Sequence, residues 1–218
     1  MTFPIKLRHA LPLAGGLALV LAAPGFADDA PAIPGQVDVS RVTAGTYATD
    51  PGHTLVSWRL NHFGFNDYFG LFGDIEGTLQ LDPANPEAAS LDVTIPIADV
   101  TVASAGLKDH LLRAGKDGGE PDFFGPNPDA ARFVSTSVTR SGETGASIVG
   151  DLTMNGVTRP VTIAAEFTGA GANPMSKKET IGFEGTTTIN RSEFGLSTFV
   201  PMVSDEVELT ISAAFEKQ

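Results

Sequence analysis

From residue 45 to the C-terminus the chain alternates apolar and polar side chains, and that period of two commits it to strands with one dry and one wet face. In 55–61, Val56, Trp58 and Leu60 share one face, while Ser57, Arg59 and Asn61 share the other. In 69–82 the apolar face carries Phe69, Leu71, Gly73, Ile75, Gly77, Leu79 and Leu81. Leu91, Val93, Ile95 and Ile97 line up in 89–97, and Ile148, Gly150, Leu152 and Met154 in 147–154. Asn155-Gly156 then predicts a tight hairpin, because both residues tolerate positive φ. The returning strand sets Val161, Ile163, Ala165 and Phe167 on one side. Ile181, Phe183, Gly185, Thr187 and Ile189 follow in 180–189, and Val207, Leu209, Ile211, Ala213 and Phe215 in 206–216. The stretch 132–139 is less decisive, with Phe133, Ser135 and Ser137 opposite Val134, Thr136 and Val138. A short strand at 45–50 brings the candidates to nine, of which one or two can merge. Strands this numerous, antiparallel and without a second periodicity, predict a closed barrel or a sandwich.

One stretch breaks the period. Ser104 is placed to cap a short helix over 105–113, with Gly115 as its stop. Leu107 and Leu111 stack on one face, and Asp109 to Arg113 is an i, i+4 ion pair. The loop that follows is rich in Gly and Pro and contains Phe123-Phe124. Two adjacent Phe in such a loop either plug a barrel end or, with the helix, form a lid over a cavity. Gly73, Gly77, Gly150 and Gly185 all fall on apolar faces, where they either ease strand curvature or leave the interior unfilled. A barrel of about eight strands is just wide enough to be filled by side chains or to hold one small ligand. The four glycines together lean toward a ligand-holding barrel.

The N-terminus reads as an address. Lys6, Arg8 and His9 precede an apolar run over 10–23, and Gly25-Phe26-Ala27 supplies a cleavage site. This is a secretory signal peptide over 1–27, cleaved after Ala27, too short to span a bilayer. Residues 28–44, with Pro31 and Pro34, read as a flexible or loosely attached leader, and 45–218 as one domain. Losing Lys6 and Arg8 moves the formal charge from −12 to −14. So acidic a chain is a poor partner for nucleic acid. It has no cysteine, hence no disulfide framework, thiol nucleophile or lipoprotein anchor, and export without cysteine suits a Gram-negative periplasm.

Catalytic patterns are scarce. His53, His62 and His110 have no metal-ligand spacing, and no nucleophile elbow, Walker loop or dinucleotide fingerprint is present. The acid-rich strand faces with Asp74 and Glu76, or Glu206 and Glu208, read as solvated surfaces. An outer-membrane pore needs aromatic girdles, and two Tyr and one Trp do not make them.

A series of collinear motifs carries a family resemblance. It opens with Tyr47, Asp50, His53-Thr54-Leu55-Val56-Ser57-Trp58 and Asn61-His62-Phe63-Gly64, then Gly70-Leu71-Phe72-Gly73 and Gly77-Thr78-Leu79. Val93-Thr94-Ile95-Pro96-Ile97, Lys108-Asp109-His110-Leu111, Asp122-Phe123-Phe124 and Arg132-Phe133-Val134-Ser135-Thr136 continue it. The most distinctive block runs from Gly150-Asp151-Leu152-Thr153-Met154-Asn155-Gly156 through Val157-Thr158-Arg159-Pro160-Val161. Ile189-Asn190-Arg191-Ser192-Glu193-Phe194-Gly195 and Val203-Ser204-Asp205-Glu206-Val207 close it. Over about 45–217 the chain resembles the YceI-like family, departing from it in a longer loop at 115–121 and at Asn127. The resemblance implies an all-β fold, an extended antiparallel eight-stranded lipocalin-like barrel with one short helix and a lid loop. It also implies an exported protein that encloses an amphiphilic chain such as a polyisoprenoid or isoprenoid quinone.

The expectation is a soluble periplasmic protein that sequesters or carries such a lipid, with no other cofactor, no metal and no stable membrane insertion; a homodimer stays open. Trp58, Leu60, Leu71, Ile75, Phe133 and Phe183 are expected as wall, Leu111, Phe123 and Phe124 at the mouth, and His62 or Arg191 at a polar head group. Two other classes stand beside it: a hydrolase using His110, and a filled barrel acting as a stress-related interaction protein.

Overall fold

The computed structural model describes residues 32–218; the expected signal peptide and residues 28–31 of the leader lie outside the described residues. Ten antiparallel strands follow in order: β1 (Gly45–Thr49), β2 (Leu55–His62), β3 (Asn66–Phe72), β4 (Glu76–Leu81), β5 (Ser90–Ile95), β6 (Ala131–Ser141), β7 (Gly145–Met154), β8 (Val157–Ala172), β9 (Glu179–Asn190) and β10 (Glu206–Lys217). Eight of them, β1 and β4 to β10, pair in a ring that closes where Tyr47 of β1 meets Lys217 of β10. The hairpin of β2 and β3 adds to the upper half of β10, with Trp58 opposite Leu209. The ten segments are therefore eight staves, the first two each broken once.

Each break has a local cause. Pro51, which cannot donate to a ladder, ends β1 and starts a single 3-10 turn, Pro51–His53, before β2 resumes. Between β3 and β4, Asp74 takes a left-handed φ of 51° and throws the alternation out of phase by one residue. This corrects the expected single strand over 69–82. Below the break Ile75 and Leu79 point inward as expected, but above it Gly70 and Phe72 do so, leaving Phe69 64% and Leu71 39% exposed. Leu71 is consequently not a wall residue. A bulge between Ser135 and Ser137 likewise switches faces in the middle of β6, which is why that stretch gave no clean period. Asn155 and Gly156 both adopt positive φ and join β7 to β8 directly, with Met154 opposite Val157.

The ring is complete only in its lower half. In the upper half β3 has a free edge, and the segment 97–125 fills the gap between it and β6. That segment makes one two-way backbone bridge to β3, Leu71 to Thr101 at 2.9 Å each way. It buries Ile97, Val100 and Leu111 in the gap. Its helix α1 (Ala105–Leu112) is capped by Ser104, whose side chain accepts from the Leu107 amide. Arg113 does not meet Asp109 as expected but turns to Asp122, 3.0 Å away.

At the opposite end the leader is bound rather than loose from Pro34 onward. Gln36 and Ala170 exchange backbone hydrogen bonds of 3.1 and 2.9 Å, extending β8 beyond the reach of β7. Gly171 admits this contact, since a side chain there would collide with the Pro34 carbonyl. Val42 then enters an apolar cluster with Tyr47, Leu79, Phe167, Ile181 and Phe215.

Candidate ligand-binding chamber

The inward residues of the eight staves leave two spaces, one above the other along the barrel axis. The upper, of about 200 Å³, lies under the lid segment and is walled by apolar side chains apart from Thr54, Thr187 and Arg191. The lower, of about 440 Å³, opens at the leader end, where Ser40, Arg140, Glu143 and Thr144 form a polar rim. Leu91, Ile163, Ile211, Ala213 and Phe215 line both, so the two chambers share one continuous apolar wall.

The structure brings most of the expected site residues to these walls. Trp58, Leu60, Ile75, Leu111, Phe123, Phe124, Phe133 and Arg191 line the upper chamber, and Phe183 the lower. Leu71 and His62 line neither. The ring of His62 stacks between Phe63 and Tyr68 at centroid distances of 4.1 and 4.5 Å, on the hairpin of β2 and β3. Val161, Ile163, Val207, Leu209 and Ile211 are wall residues that the inward phase of β8 and β10 already marked. Val138 and Arg140 reach the lower chamber only because the bulge in β6 turns them inward, a signal that alternation does not carry.

The inward glycines are seats as much as spaces. The Phe133 ring occupies the place of a side chain at Gly150, and Gly77 lies against the backbone of β5. Both serve close packing and leave no unfilled interior; of the four inward glycines, Gly185 is the one that lines a chamber, the lower. Gly70 seats the Trp58 indole in the same way. Trp58 Nε1 is buried without a hydrogen-bond partner, a cost of about 1–3 kcal/mol that good ring packing must offset.

Arg191 occupies the first position of a 3-10 turn, Arg191–Phe194, and is only 3% exposed. Its guanidinium donates to four backbone carbonyls, those of Leu196, Thr198, Val203 and Ser204, and so staples the loop that leads into β10. Burial lowers its pKa from the usual arginine value, opposed by the charge of Asp205. The guanidinium carbon lies 5.8 Å from the centre of the Phe123 ring, tying the staple to the lid.

The lid is latched by charge. His110 Nε2–H donates to Asp122 at 2.9 Å and Arg113 donates to the same oxygen at 3.0 Å. The His110 hydrogen bond, then that from Arg113, holds the Asp122 carboxyl below the usual carboxylate range. The Phe124 amide donates to the Leu111 carbonyl at 3.0 Å, so Phe123 and Phe124 are presented to the chamber by the end of α1. His110 is thus a latch residue, its ring edge-on to Phe123 at 5.1 Å.

A second polar cluster closes the leader end. The single proton of the Tyr47 hydroxyl is shared between Glu179, 2.6 Å away, and the Thr43 carbonyl at 2.5 Å, while Thr43 donates to Glu179 through both its amide and its hydroxyl. Burial, then the Glu179 hydrogen bond, pushes the Tyr47 phenol up to about 12. Burial raises Glu179, but the bonds from Thr43 and Tyr47 outweigh it and hold the carboxyl low. Among the described residues no group of three or more His, Asp or Glu is placed to hold a metal ion.

Comparison with known proteins places this architecture. The profile of the YceI-like domain matches residues 47–215. A UPF0312 protein of Ectopseudomonas mendocina is 39% identical over 172 residues, 78% of this chain and 86% of its own length. One from Pseudomonas putida strain F1 is 38% identical over 168 residues, covering 76% and 82%. The crystal structure of the Campylobacter jejuni YCEI protein has 30% identity and a TM-score of 0.59 over 72% of this chain and 90% of that one. A polyisoprenoid binding domain from Saccharophagus degradans shares the fold at 12% identity, with a TM-score of 0.52 over 79% and 98%.

Proposed function

The chain belongs to the YceI-like family, and from that premise we propose that it sequesters or carries an amphiphilic lipid, a polyisoprenoid or isoprenoid quinone, in the periplasm. The apolar interior carries this reading: two chambers that share one wall along the barrel axis. Together they reach several hundred Å³, the scale of small-molecule sites at roughly 300–1,000 Å³. Each CH₂ moved from water onto such a wall gains about 0.8 kcal/mol, so a prenyl chain binds through length and needs few polar contacts. The Saccharophagus degradans domain, described as polyisoprenoid binding, supports the same ligand class on the same fold. Residues 1–27 support export and cleavage after Ala27.

Native mass spectrometry after mild purification from the source organism, with organic extraction, tests the reading. A bound prenyl lipid is expected, and the single tryptophan, Trp58 in the upper wall, reports loading through quenching by an added isoprenoid quinone. Empty protein that also ignores added quinone and prenyl phosphate overturns it.

A further inference from the structure

The lid end carries an apolar surface that the barrel interior does not use. Phe63 and Phe65 form the tip of the β2–β3 hairpin, and Phe199 and Met202 lie on the loop before β10; Phe65 is 87% and Met202 58% exposed. The two elements are joined into one platform: the Phe63 amide donates to the Met202 carbonyl at 2.8 Å, the Ser204 amide to Asn61 at 2.9 Å, and His62 bridges Val203. Phe63 and Phe199 are held at φ of 56° and 65°, a backbone region that bulky side chains rarely occupy. Neither 61–66 nor 197–204 contains a single Asp, Glu, Lys or Arg. At the leader end, by contrast, exposed Ile33, Val37 and Met175 sit among Asp38, Arg41, Lys177 and Lys178.

The platform is continuous with the lid. The Phe199 ring stands edge-on to His110 at 6.1 Å, and His110 holds Phe123 and Asp122. Resting on the reading of the barrel as a lipid holder, we propose that this end docks on the surface of a zwitterionic bilayer. Phe63, Phe65, Phe199 and Met202 enter the interface, and ligand passes between bilayer and chamber at the His110–Phe123 contact. A prenyl lipid resides in membranes, so its carrier gains by meeting the bilayer where its own lid lies. An uncharged tip enters the headgroup region without stripping water from an ion. The acidic chain offers no attraction to anionic lipid, so the contact is apolar and insensitive to salt.

Vesicle flotation of the full mature chain, with phosphatidylethanolamine and phosphatidylcholine, tests this. The protein floats, high salt does not release it, and added anionic lipid does not strengthen it. Phe65→Asp and Met202→Asp, both on exposed side chains, each lower the bound fraction about tenfold or more. Met175→Asp at the other end leaves it unchanged. All variants take up an isoprenoid quinone from detergent solution as the parent does, while transfer from vesicles slows in Phe65→Asp and Met202→Asp. Normal uptake from detergent with no flotation, or with flotation indifferent to Phe65→Asp, overturns the docking and leaves the lipid reading intact. A dimer in solution that Phe65→Asp dissociates, with vesicle binding unchanged, assigns the platform to a second copy and overturns it as well. Failure of the parent protein to take up quinone from detergent overturns the lipid reading, and the docking with it.

Discussion

Removing the Arg191 guanidinium leaves the carbonyls of Leu196, Thr198, Val203 and Ser204 without their donor inside a closed loop. Hydrogen bonds to a charged group contribute about 1.5–3 kcal/mol each before relaxation, so Arg191→Met is expected to destabilise by roughly 3 kcal/mol or more. In a domain of this size that lowers the melting temperature by about 6–12 °C in a thermal scan. Arg191→Lys recovers little of it, because a single ammonium cannot span four carbonyls set in a fork. Gly70→Ala acts through shape instead: the new methyl collides with the Trp58 indole. A loss of about 1–3 kcal/mol is expected, with a shift in the emission of the single tryptophan. Trp58 and Leu71 illustrate what sequence does and does not disclose. Trp58 reads as wall from its place between Val56 and Leu60, and it is there. Its seat on Gly70 is a cross-strand pairing, visible only once β2 and β3 are in register. Leu71 reads as wall by the same alternation and faces out, because one left-handed residue, Asp74, resets the phase.

Strands alternate and helices are capped, so β5, β7, β9, β10 and α1 are legible with boundaries close to those found, whereas β8, marked by alternation only over 161–167, runs from Val157 to Ala172. The lid was legible as a helix and loop, but its latch was not: Asp122 lies nine residues beyond Arg113 and twelve beyond His110, outside any helical spacing. The latch makes a prediction about acid. Asp122 has a lowered folded pKa, so its contribution is complete above the ordinary carboxylate value and is lost as pH falls through a point below it. At neutral pH the lid is therefore fully tied. Asp122→Asn removes the charge shared by His110 and Arg113 and should speed ligand release severalfold at pH 7, measured by stopped-flow dilution into vesicles. The parent protein should reach comparable release only in strong acid.

The whole molecule closes through a pairing that no local signal announces, since Tyr47 and Lys217 lie at the two extremes of the domain. Tyr47, Thr43, Glu179 and Lys217 tie the leader, β1, β9 and β10 together at that closure. Tyr47 keeps its proton up to about 12 in the folded chain, whereas an unfolded phenol ionises near 10. Its stabilising effect is thus intact below pH 10 and fades as pH rises toward 12. Chemical denaturation across this range should show the parent losing stability faster than Tyr47→Phe, the gap between them constant below pH 10 and narrowing toward pH 12. The two broken staves give the molecule one more property. Below the breaks the hydrogen bonds form an unbroken hoop, whose circumference is fixed by eight strands at constant spacing. Above them the hoop is split, and the gap is spanned by the segment 97–125 with its single bridge from Leu71 to Thr101. Such a tube is built like a collet: its bore is set at one end by a closed hoop of backbone hydrogen bonds and at the other by side-chain packing and one bridge.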